Sequence, residues 1–267
     1  MKSNKSRTRL LILAALLGCL IPVSVPAQKT QTASQPEPEK PLSLTLPAWQ
    51  KGAYWATFDN QLLLDFANLA RFRDADAKLA PPVVGEDRVV FMGDSITEGW
   101  NLETSFPGKP YINRGISGQT SSQMLLRFRQ DVIDLKPKVV LILAGTNDFA
   151  GNTGPVTLSQ VEGNLMSMAQ LAQANSIRVV LCSVLPSVRF GWHPDAENPV
   201  PRIASLNDWM KAYAPGKGYV YVDYYSAMKD AAGGLPPNLS RDGVHPLPAG
   251  YAIMAPLAES GIETALK

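Results

Sequence analysis

Five short apolar segments separated by helical patterns occupy the chain from residue 88 onward, and this alternation limits the folds it can adopt. The segments are residues 89–92, 111–113, 139–143, 179–184 and 220–222. Short apolar segments without alternating polarity are typical of strands buried on both faces. Strands that alternate with helices are joined by right-handed crossovers and form a parallel sheet. The sequence therefore predicts a three-layer α/β/α domain with five parallel strands.

The segments between the strands show the three- and four-residue spacing of amphipathic helices. The apolar residues that share a face are Met124, Phe128, Val132 and Leu135 in the first helix, Val161, Leu165, Met168 and Ala172 in the second, Ile203, Leu206, Trp209 and Tyr213 in the third, and Tyr251, Met254, Leu257 and Ala258 in the last. Thr157 and Gln160 have the spacing of a capping box, which predicts where the second helix begins.

One more helix is predicted ahead of the sheet, over residues 60–78. Its apolar positions are Leu62, Phe66, Leu69 and Phe72, and the prolines at 81 and 82 follow it. This helix belongs to an N-terminal extension, residues 48–85, whose role the sequence leaves open. The predicted α/β domain covers residues 86–267.

The first 27 residues have the pattern of a secretory signal peptide. A basic start is followed by an apolar run over residues 10–20, and small residues precede a cleavage point near Ala27. The run is shorter than the roughly 20 residues of a membrane span, so we expect a periplasmic or secreted protein without stable membrane insertion after cleavage. An uncleaved anchor and a lipoprotein attached through Cys19 remain alternatives. Residues 28–47, rich in Pro, Gln, Ser, Thr and Lys, are predicted to be a flexible linker.

Charge and cysteine content exclude several functions. The formal net charge is +2, but four basic residues lie in the predicted signal, and 21 basic and 23 acidic side chains remain without it. This balance offers no basic surface for nucleic acid. Cys182 is the only cysteine after the signal and lies in an apolar segment, so a buried thiol is expected and no internal disulfide. Two histidines without clustered thiols argue against a zinc site, and no metal or cofactor is expected.

The first predicted strand runs directly into Gly93-Asp94-Ser95. A serine at the start of a helix lies beside backbone N–H groups that lack partners and attract negative charge. Ser95 could therefore be a nucleophile beside donors for an oxyanion. An ordinary turn, with Asp94 or Ser95 as the helix cap, explains the same residues.

Three other polar turns follow predicted strands. Residues 113–120, 144–148 and 240–246 should meet residues 93–95, because ligands of an open parallel sheet bind at the carboxyl ends of its strands. Together the turns supply a serine, a histidine with an aspartate three residues before it, and three candidate oxyanion donors. These groups are Ser95, His245, Asp242, the N–H groups of Ser95 and Gly118, and the side-chain amide of Asn147.

Four sequence blocks at these turns resemble, in order, those of the SGNH (GDSL-type) hydrolase superfamily over about residues 86–258. The blocks are Gly93-Asp94-Ser95-Ile96, Gly118 within residues 116–120, Gly145-Thr146-Asn147-Asp148, and Asp242-Gly243-Val244-His245-Pro246. The stretches Asn113-Arg114-Gly115 and Gly145-Thr146-Asn147 especially resemble the platelet-activating-factor acetylhydrolase and lysophospholipase/thioesterase branches. Ile96 replaces the leucine of the GDSL pattern, and Leu247 stands where many relatives carry asparagine.

The resemblance implies a flavodoxin-like sheet and hydrolysis of esters or thioesters without a metal. It implies that Ser95 is the nucleophile, His245 the base and Asp242 the acid, with Gly118 and Asn147 in the oxyanion hole. A short-chain or acetyl ester is expected as substrate, either a small molecule or linked to a polysaccharide. A sugar O-acyltransferase with the same triad and a non-catalytic carbohydrate- or lipid-binding module remain alternatives. A phosphodiesterase is disfavoured, since no metal or phosphate cluster is visible.

Four residues beside the turns are candidates for the substrate pocket. They are Trp100, Phe149, Trp192 and His193. The three aromatic side chains could instead pack in the core, and the histidine could be an ordinary surface residue. Asp94 and Asp148 are expected to brace their turns rather than to act as catalytic acids.

Overall fold

The computed structural model describes residues 62–267. The strands are β1 (Val89–Gly93), β2 (Tyr111–Gly115), β3 (Val139–Leu143), β4 (Arg178–Cys182) and β5 (Val220–Val222). The helices are α1 (Ala70–Lys78), α2 (Ser95–Glu98), α3 (Leu102–Ser105), α4 (Ser121–Asp131), α5 (Thr146–Phe149), α6 (Leu158–Ala174), α7 (Val200–Gly216), α8 (Tyr224–Met228) and α9 (Pro248–Leu266), with a 3-10 helix at Ile133–Leu135. The predicted signal peptide, the linker and residues 48–61 of the extension lie outside the described residues.

All five strands are parallel, in the order β2-β1-β3-β4-β5. This is the flavodoxin-like order, and it confirms the predicted fold. The chain reverses its direction of travel across the sheet after β2, so β1 lies between β2 and β3. Gly93 pairs with Gly115 on one side and with Leu143 on the other, so these three strands end level. The turns that follow them therefore share one edge.

Alternate residues of the buried strands enter two separate cores. Val90 and Met92 pack in the core that includes α4, α6 and α7, while Val89 and Phe91 pack in the core that includes α8 and α9. Burying one such side chain contributes about 1.5–3 kcal/mol. Burial on both faces explains why the strands read as continuous apolar segments. Within residues 62–267, no helix is both long and apolar enough to cross a membrane.

Two helix boundaries show how local polar bonds define the elements. The predicted capping box is confirmed: Thr157 Oγ1 accepts from the Gln160 N–H at 3.1 Å, and Gln160 Oε1 accepts from the Thr157 N–H at 2.8 Å. The helix predicted through Leu135 instead ends at Asp131 and continues as the 3-10 turn. Lys136 then adopts a left-handed conformation, with φ of 52°.

The helix predicted over residues 60–78 is wrong in extent. The regular helix α1 covers only Ala70–Lys78. The Asp65 carboxylate accepts hydrogen bonds from the N–H groups of Leu69 and Ala70, both at 2.9 Å, and Asn68 has a left-handed φ of 54°. These bonds replace helical ones and start a new helix at residue 70. Leu69 is exposed rather than part of a core-facing stripe.

Glutamine side chains attach this N-terminal segment to the loop after β2 and to α4. Gln119 Nε2 donates to the Ala67 carbonyl at 2.8 Å, Gln123 Nε2 to Phe66 at 2.7 Å, and Gln130 Nε2 to Leu69 at 2.8 Å. In addition, the Arg114 guanidinium forms an ion pair with Asp76 on α1. The described part of the extension is thus a brace against the elements that flank the site.

Candidate active site

In the turn after β1, different residues fill the two roles that the sequence allowed for Ser95, the helix cap and the free hydroxyl. A side chain at residue 93 would collide with Thr97, so only glycine allows α2 to begin so close to the strand. Asp94 is the cap, since its Oδ1 accepts from the Ile96 N–H at 2.9 Å. The Ser95 hydroxyl, as the first residue of α2, is left to interact elsewhere.

Ser95, His245 and Asp242 form a continuous chain of hydrogen bonds. Ser95 Oγ lies 2.9 Å from His245 Nε2, and His245 Nδ1 lies 2.6 Å from Asp242 Oδ2. The side chains of His245 and Asp242 are 42% and 49% exposed, so solvent and substrate can reach them. The three sequence-predicted residues are therefore brought together across about 150 residues of chain.

The Asp242 carboxylate is fixed from its other side as well. Its Oδ1 accepts from Ser240 Oγ at 3.0 Å, from the Val244 N–H at 2.9 Å and from the His245 N–H at 2.8 Å. Burial alone would raise the pKa of Asp242, but the His245 ring and these backbone N–H groups outweigh it and hold the pKa well below its usual value. Asp242 is therefore an anion throughout the neutral range, which suits it to orient the imidazole and to stabilise its protonated form.

The predicted oxyanion donors lie on three of the turns. Among the described residues, the N–H groups of Ser95 and Gly118 have no acceptor, and Gly118 has a positive φ of 78° that favours glycine. Asn147 is buried at the start of α5, and its Nδ2 lies 3.1 Å from the Gln119 carbonyl and 3.3 Å from Asp94 Oδ2. The Asn147 amide thus adjoins the loop that carries Gly118 and the residue that precedes Ser95.

Asp94 and Asp148 are buried carboxyl groups with structural contacts. Burial raises the pKa of Asp94 to about 7, although the Ile96 N–H and the charge of His245 oppose this rise. Burial also raises the pKa of Asp148, whose oxygens accept from the hydroxyl and the N–H of Ser121. Asp148 ties α5 to the start of α4, and Asp94 caps α2.

The raised pKa of Asp94 predicts a pH-dependent stability. Between about pH 4 and about pH 7 the folded state holds a proton on Asp94 that the unfolded state has lost. The free energy of unfolding should therefore fall as pH rises through this range, by up to about 4 kcal/mol from this group. In urea unfolding, the wild type and Asp94→Asn should have similar stabilities near pH 4, and the wild type should become progressively less stable than the variant as the pH rises to 7. Parallel stability curves would contradict the assignment.

Two of the predicted pocket residues are core residues instead. Trp100 is 2% exposed, packs against Phe91 and Tyr224, and donates from Nε1 to Ser105 Oγ. Phe149 is 6% exposed, and the Arg202 guanidinium covers its ring at 4.6 Å. The prediction that these two rings line the pocket is therefore wrong, because neither presents a surface to a ligand.

The loop after β4 contributes the other two predicted residues. The Trp192 ring lies beside the His245 ring, with centroids 6.0 Å apart, and its role in the substrate pocket stays a prediction. His193 Nδ1 donates to the Ala150 carbonyl at 2.5 Å, which ties this loop to the one after β3. His193 is thus a link between loops. Among residues 62–267, no group of three or more His, Cys, Asp or Glu side chains is placed to hold a metal ion.

Sequence reasoning missed two buried residues that connect the turns. Asn152 bonds to Gly118, Asn147 and Trp192. Arg127, on α4, donates to the Gly93 carbonyl at 3.0 Å and to Gln119 Oε1 at 2.6 Å. Arg127 therefore joins the turn that carries Ser95 to the loop that carries Gly118.

A parallel α/β sheet with hydrogen-bonded serine, histidine and aspartate at its carboxyl edge has the features of a carboxylic ester hydrolase. Residues 91–253 match the GDSL-like Lipase/Acylhydrolase family, and the chain belongs to that family. The resemblance found in the sequence is thereby confirmed, and the protein is a carboxylic ester hydrolase.

A solved lipase structure and two curated esterases agree with this assignment. The structure of a GDSL-like lipase from Bacteroides thetaiotaomicron is 48% identical, with a TM-score of 0.73, over 75% of this chain and 100% of that one. Esterase TesA of Pseudomonas aeruginosa is 28% identical over 61% of this chain and 78% of its own length. The acetylxylan esterase of Geobacillus stearothermophilus is 26% identical over 66% and 95%. The uncharacterized lipoprotein YqeF of Bacillus subtilis is 32% identical over 39% of this chain and only 51% of its own length.

Proposed function

We propose that the protein hydrolyses esters of acetate and other short acyl groups, with Ser95 as nucleophile, His245 as base and Asp242 as the group that orients His245. The observation that carries the proposal is the hydrogen-bonded chain from Ser95 Oγ through both nitrogens of His245 to a carboxylate with four hydrogen-bond donors. A serine hydroxyl attacks efficiently only when an adjacent base removes its proton, and this contact supplies the base.

In the first step, Ser95 Oγ attacks the ester carbonyl carbon while His245 Nε2 takes the hydroxyl proton. The carbonyl oxygen becomes an oxyanion, which the N–H groups of Ser95 and Gly118 and the amide of Asn147 stabilise. When the intermediate collapses, the C–O bond to the alcohol breaks, and His245 gives its proton to the leaving oxygen. The acyl group is then bonded to Ser95.

In the second step, a water molecule attacks the acyl carbon while His245 again accepts a proton. Collapse of this intermediate returns the proton to Ser95 Oγ and releases the acid. For Asn147 to donate to the oxyanion, it must give up one of its present contacts, and the 3.3 Å contact to Asp94 is the weaker one.

Two observations support a short acyl group. Trp100 and Phe149, the rings that could have formed a long apolar pocket near Ser95, lie in the core. The acetylxylan esterase relative, whose name specifies an acetyl ester, matches over 95% of its own length. Both favour a compact acyl site, with an alcohol that is a small molecule or a polysaccharide hydroxyl.

We also propose that the protein is exported. The basic start, the apolar run and the small residues before residue 28 support this location. The match to YqeF, which is described as a lipoprotein, is compatible with export of this protein.

The proposed substrate class predicts a steep dependence on acyl length. With p-nitrophenyl esters, kcat/KM should be highest for acetate and butyrate and at least about tenfold lower for octanoate, because a compact site rejects extra methylene groups. Acetylated xylan, assayed with and without an added sugar acceptor, should release free acetate in both cases. A kcat/KM that rises with chain length would contradict the short-acyl proposal, and transfer of acetyl to the sugar would contradict hydrolysis.

A further inference from the structure

Asn152 lies on the loop after α5, and its side-chain amide bonds to three residues of the site, Gly118, Asn147 and Trp192. It is 3% exposed. Its Nδ2 donates to the Gly118 carbonyl and to Asn147 Oδ1, both at 2.9 Å, and its Oδ1 accepts from Trp192 Nε1 at 3.0 Å. Both N–H bonds of the amide are therefore used, each on a residue that we place in the oxyanion hole.

We propose that Asn152, held by Trp192, is a positioning residue that orients both the Asn147 amide and the Gly118 loop for oxyanion binding. The proposal rests on the proposed function and adds to it a pair of residues that touch neither the oxyanion nor the nucleophile. In this proposal Asn152 fixes the orientation of the Asn147 amide and does not itself touch the substrate.

The first part of the argument concerns the two ends of the Asn147 amide. Asn152 occupies the oxygen end, so the nitrogen end must face the Gln119 carbonyl and Asp94. A flipped Asn147 would set its Nδ2 against that of Asn152 and its oxygen against the Gln119 carbonyl oxygen. Both contacts are repulsive, and a buried polar atom without a partner is costly. Asn152 therefore ensures that Asn147 presents a donor on the side of Ser95.

The second part concerns Gly118. Glycine rotates freely about its backbone bonds, and a positive φ of 78° alone does not hold its peptide groups in place. The bond from Asn152 to the Gly118 carbonyl restricts that rotation. One buried side chain thus orders two of the three proposed oxyanion donors before substrate arrives, which is the condition under which such donors lower the barrier.

Trp192 fixes the orientation of Asn152 in turn. Its Nε1 is a donor only, so the carbonyl end of the Asn152 amide must face it. The same indole lies beside the His245 ring. Trp192 therefore contacts the proposed base with its ring and reaches the oxyanion donors through its nitrogen.

The test is the Asn152→Asp variant, which has nearly the same shape but cannot donate to Gly118 or Asn147. With p-nitrophenyl acetate we expect kcat to fall about 100-fold or more while KM changes little, because the lost interaction acts in the transition state. Trp192→Phe keeps a ring beside His245 but removes the Nε1 donor, and kcat should fall about tenfold. If Asn152→Asp does not fold, the same loss of kcat is measured with Asn152→Ala and Trp192→Phe.

Asn207→Asp is the matched control. Asn207 is 4% exposed, and within residues 62–267 its amide bonds only to the backbone of Val184, once as donor and once as acceptor. Its aspartate variant should lose stability but keep kcat within about threefold of the wild type in its folded form, because its amide touches none of the proposed donors. Equal kcat losses in the Asn207 and Asn152 variants would overturn the proposal.

A double-mutant cycle separates this inference from the proposed function. If Asn152 acts through Asn147, the losses of Asn147→Ala and Asn152→Ala should combine to much less than their product. Independent losses that multiply, or an Asn152→Asp enzyme with the kcat of the wild type, would overturn the inference. Whether or not the inference about Asn152 holds, the proposed function requires that Ser95→Ala be inactive. An active Ser95→Ala enzyme would overturn the proposed function itself.

Discussion

Replacing Ser95 with alanine should lower kcat for p-nitrophenyl acetate by about 10⁴-fold or more. The hydroxyl forms the bond to the acyl group in the proposed mechanism, and its hydrogen-bond partner in the structure is the His245 ring. Alanine is a good residue for the first turn of a helix, so the fold should be retained. Steady-state kinetics together with the thermal unfolding temperature test both parts.

Ser105→Ala is a suitable control for this variant. Ser105 also has a bonded hydroxyl, which accepts from Trp100 Nε1 at 2.8 Å, but this partner belongs to a buried aromatic cluster away from His245. Its loss should reduce stability slightly and leave kcat near that of the wild type. A Ser95→Ala enzyme with more than about a tenth of wild-type kcat would contradict the assignment of the nucleophile.

Replacing Asp131 with alanine should lower the free energy of unfolding by about 3–5 kcal/mol. Asp131 Oδ2 accepts from Arg127 at 2.9 Å, and both side chains are fully buried. Burial lowers the pKa of Arg127, and the charge of Asp131 opposes this effect. Without Asp131, the buried guanidinium would lose the carboxylate to which it bonds.

The exposed ion pair of Lys138 and Asp87 is the matched comparison. Its two side chains are about half exposed, although their atoms approach to 2.6 Å. Asp87→Ala should therefore change the free energy of unfolding by no more than about 1 kcal/mol. Urea unfolding of both variants should show the difference, and equal effects would mean that Asp131 does not stabilise a buried charge.

The sheet and the central residues of the site were predictable for related physical reasons. Strands buried on both faces need apolar residues at every position, so they stand out in the sequence. The polar turns at their carboxyl ends then meet at one edge whatever the details of the helices. For this reason the sequence alone places Ser95, Asn147 and His245 together.

The errors arose where side-chain direction or polar contacts decide the outcome. Trp100 lies five residues after Ser95, but its ring points into the core that faces α9, a direction that sequence proximity does not reveal. The predicted helix over residues 60–78 is interrupted because Asp65 bonds to backbone N–H groups at residues 69 and 70. Periodic apolar positions alone do not reveal such a competing bond.

Arg127 and Asn152 were missed for a different reason. Arg127 and Asp131 have the spacing of an exposed ion pair on a helix, and such pairs usually face solvent. The buried guanidinium of Arg127 bonds to Gly93 and Gln119, which belong to distant turns. Asn152 is one polar residue in a loop, and its importance follows only from its three partners.

The most direct measurement is to identify the residue that a fluorophosphonate probe modifies. The probe reacts with serine hydroxyls that are activated by a neighbouring base, and mass spectrometry of the digested protein locates the adduct. We expect one adduct on the peptide that contains Ser95, a much slower reaction in His245→Ala, and none in Ser95→Ala. Ester hydrolysis by the wild type without an adduct on Ser95, or with an adduct on another residue, would contradict the proposed mechanism.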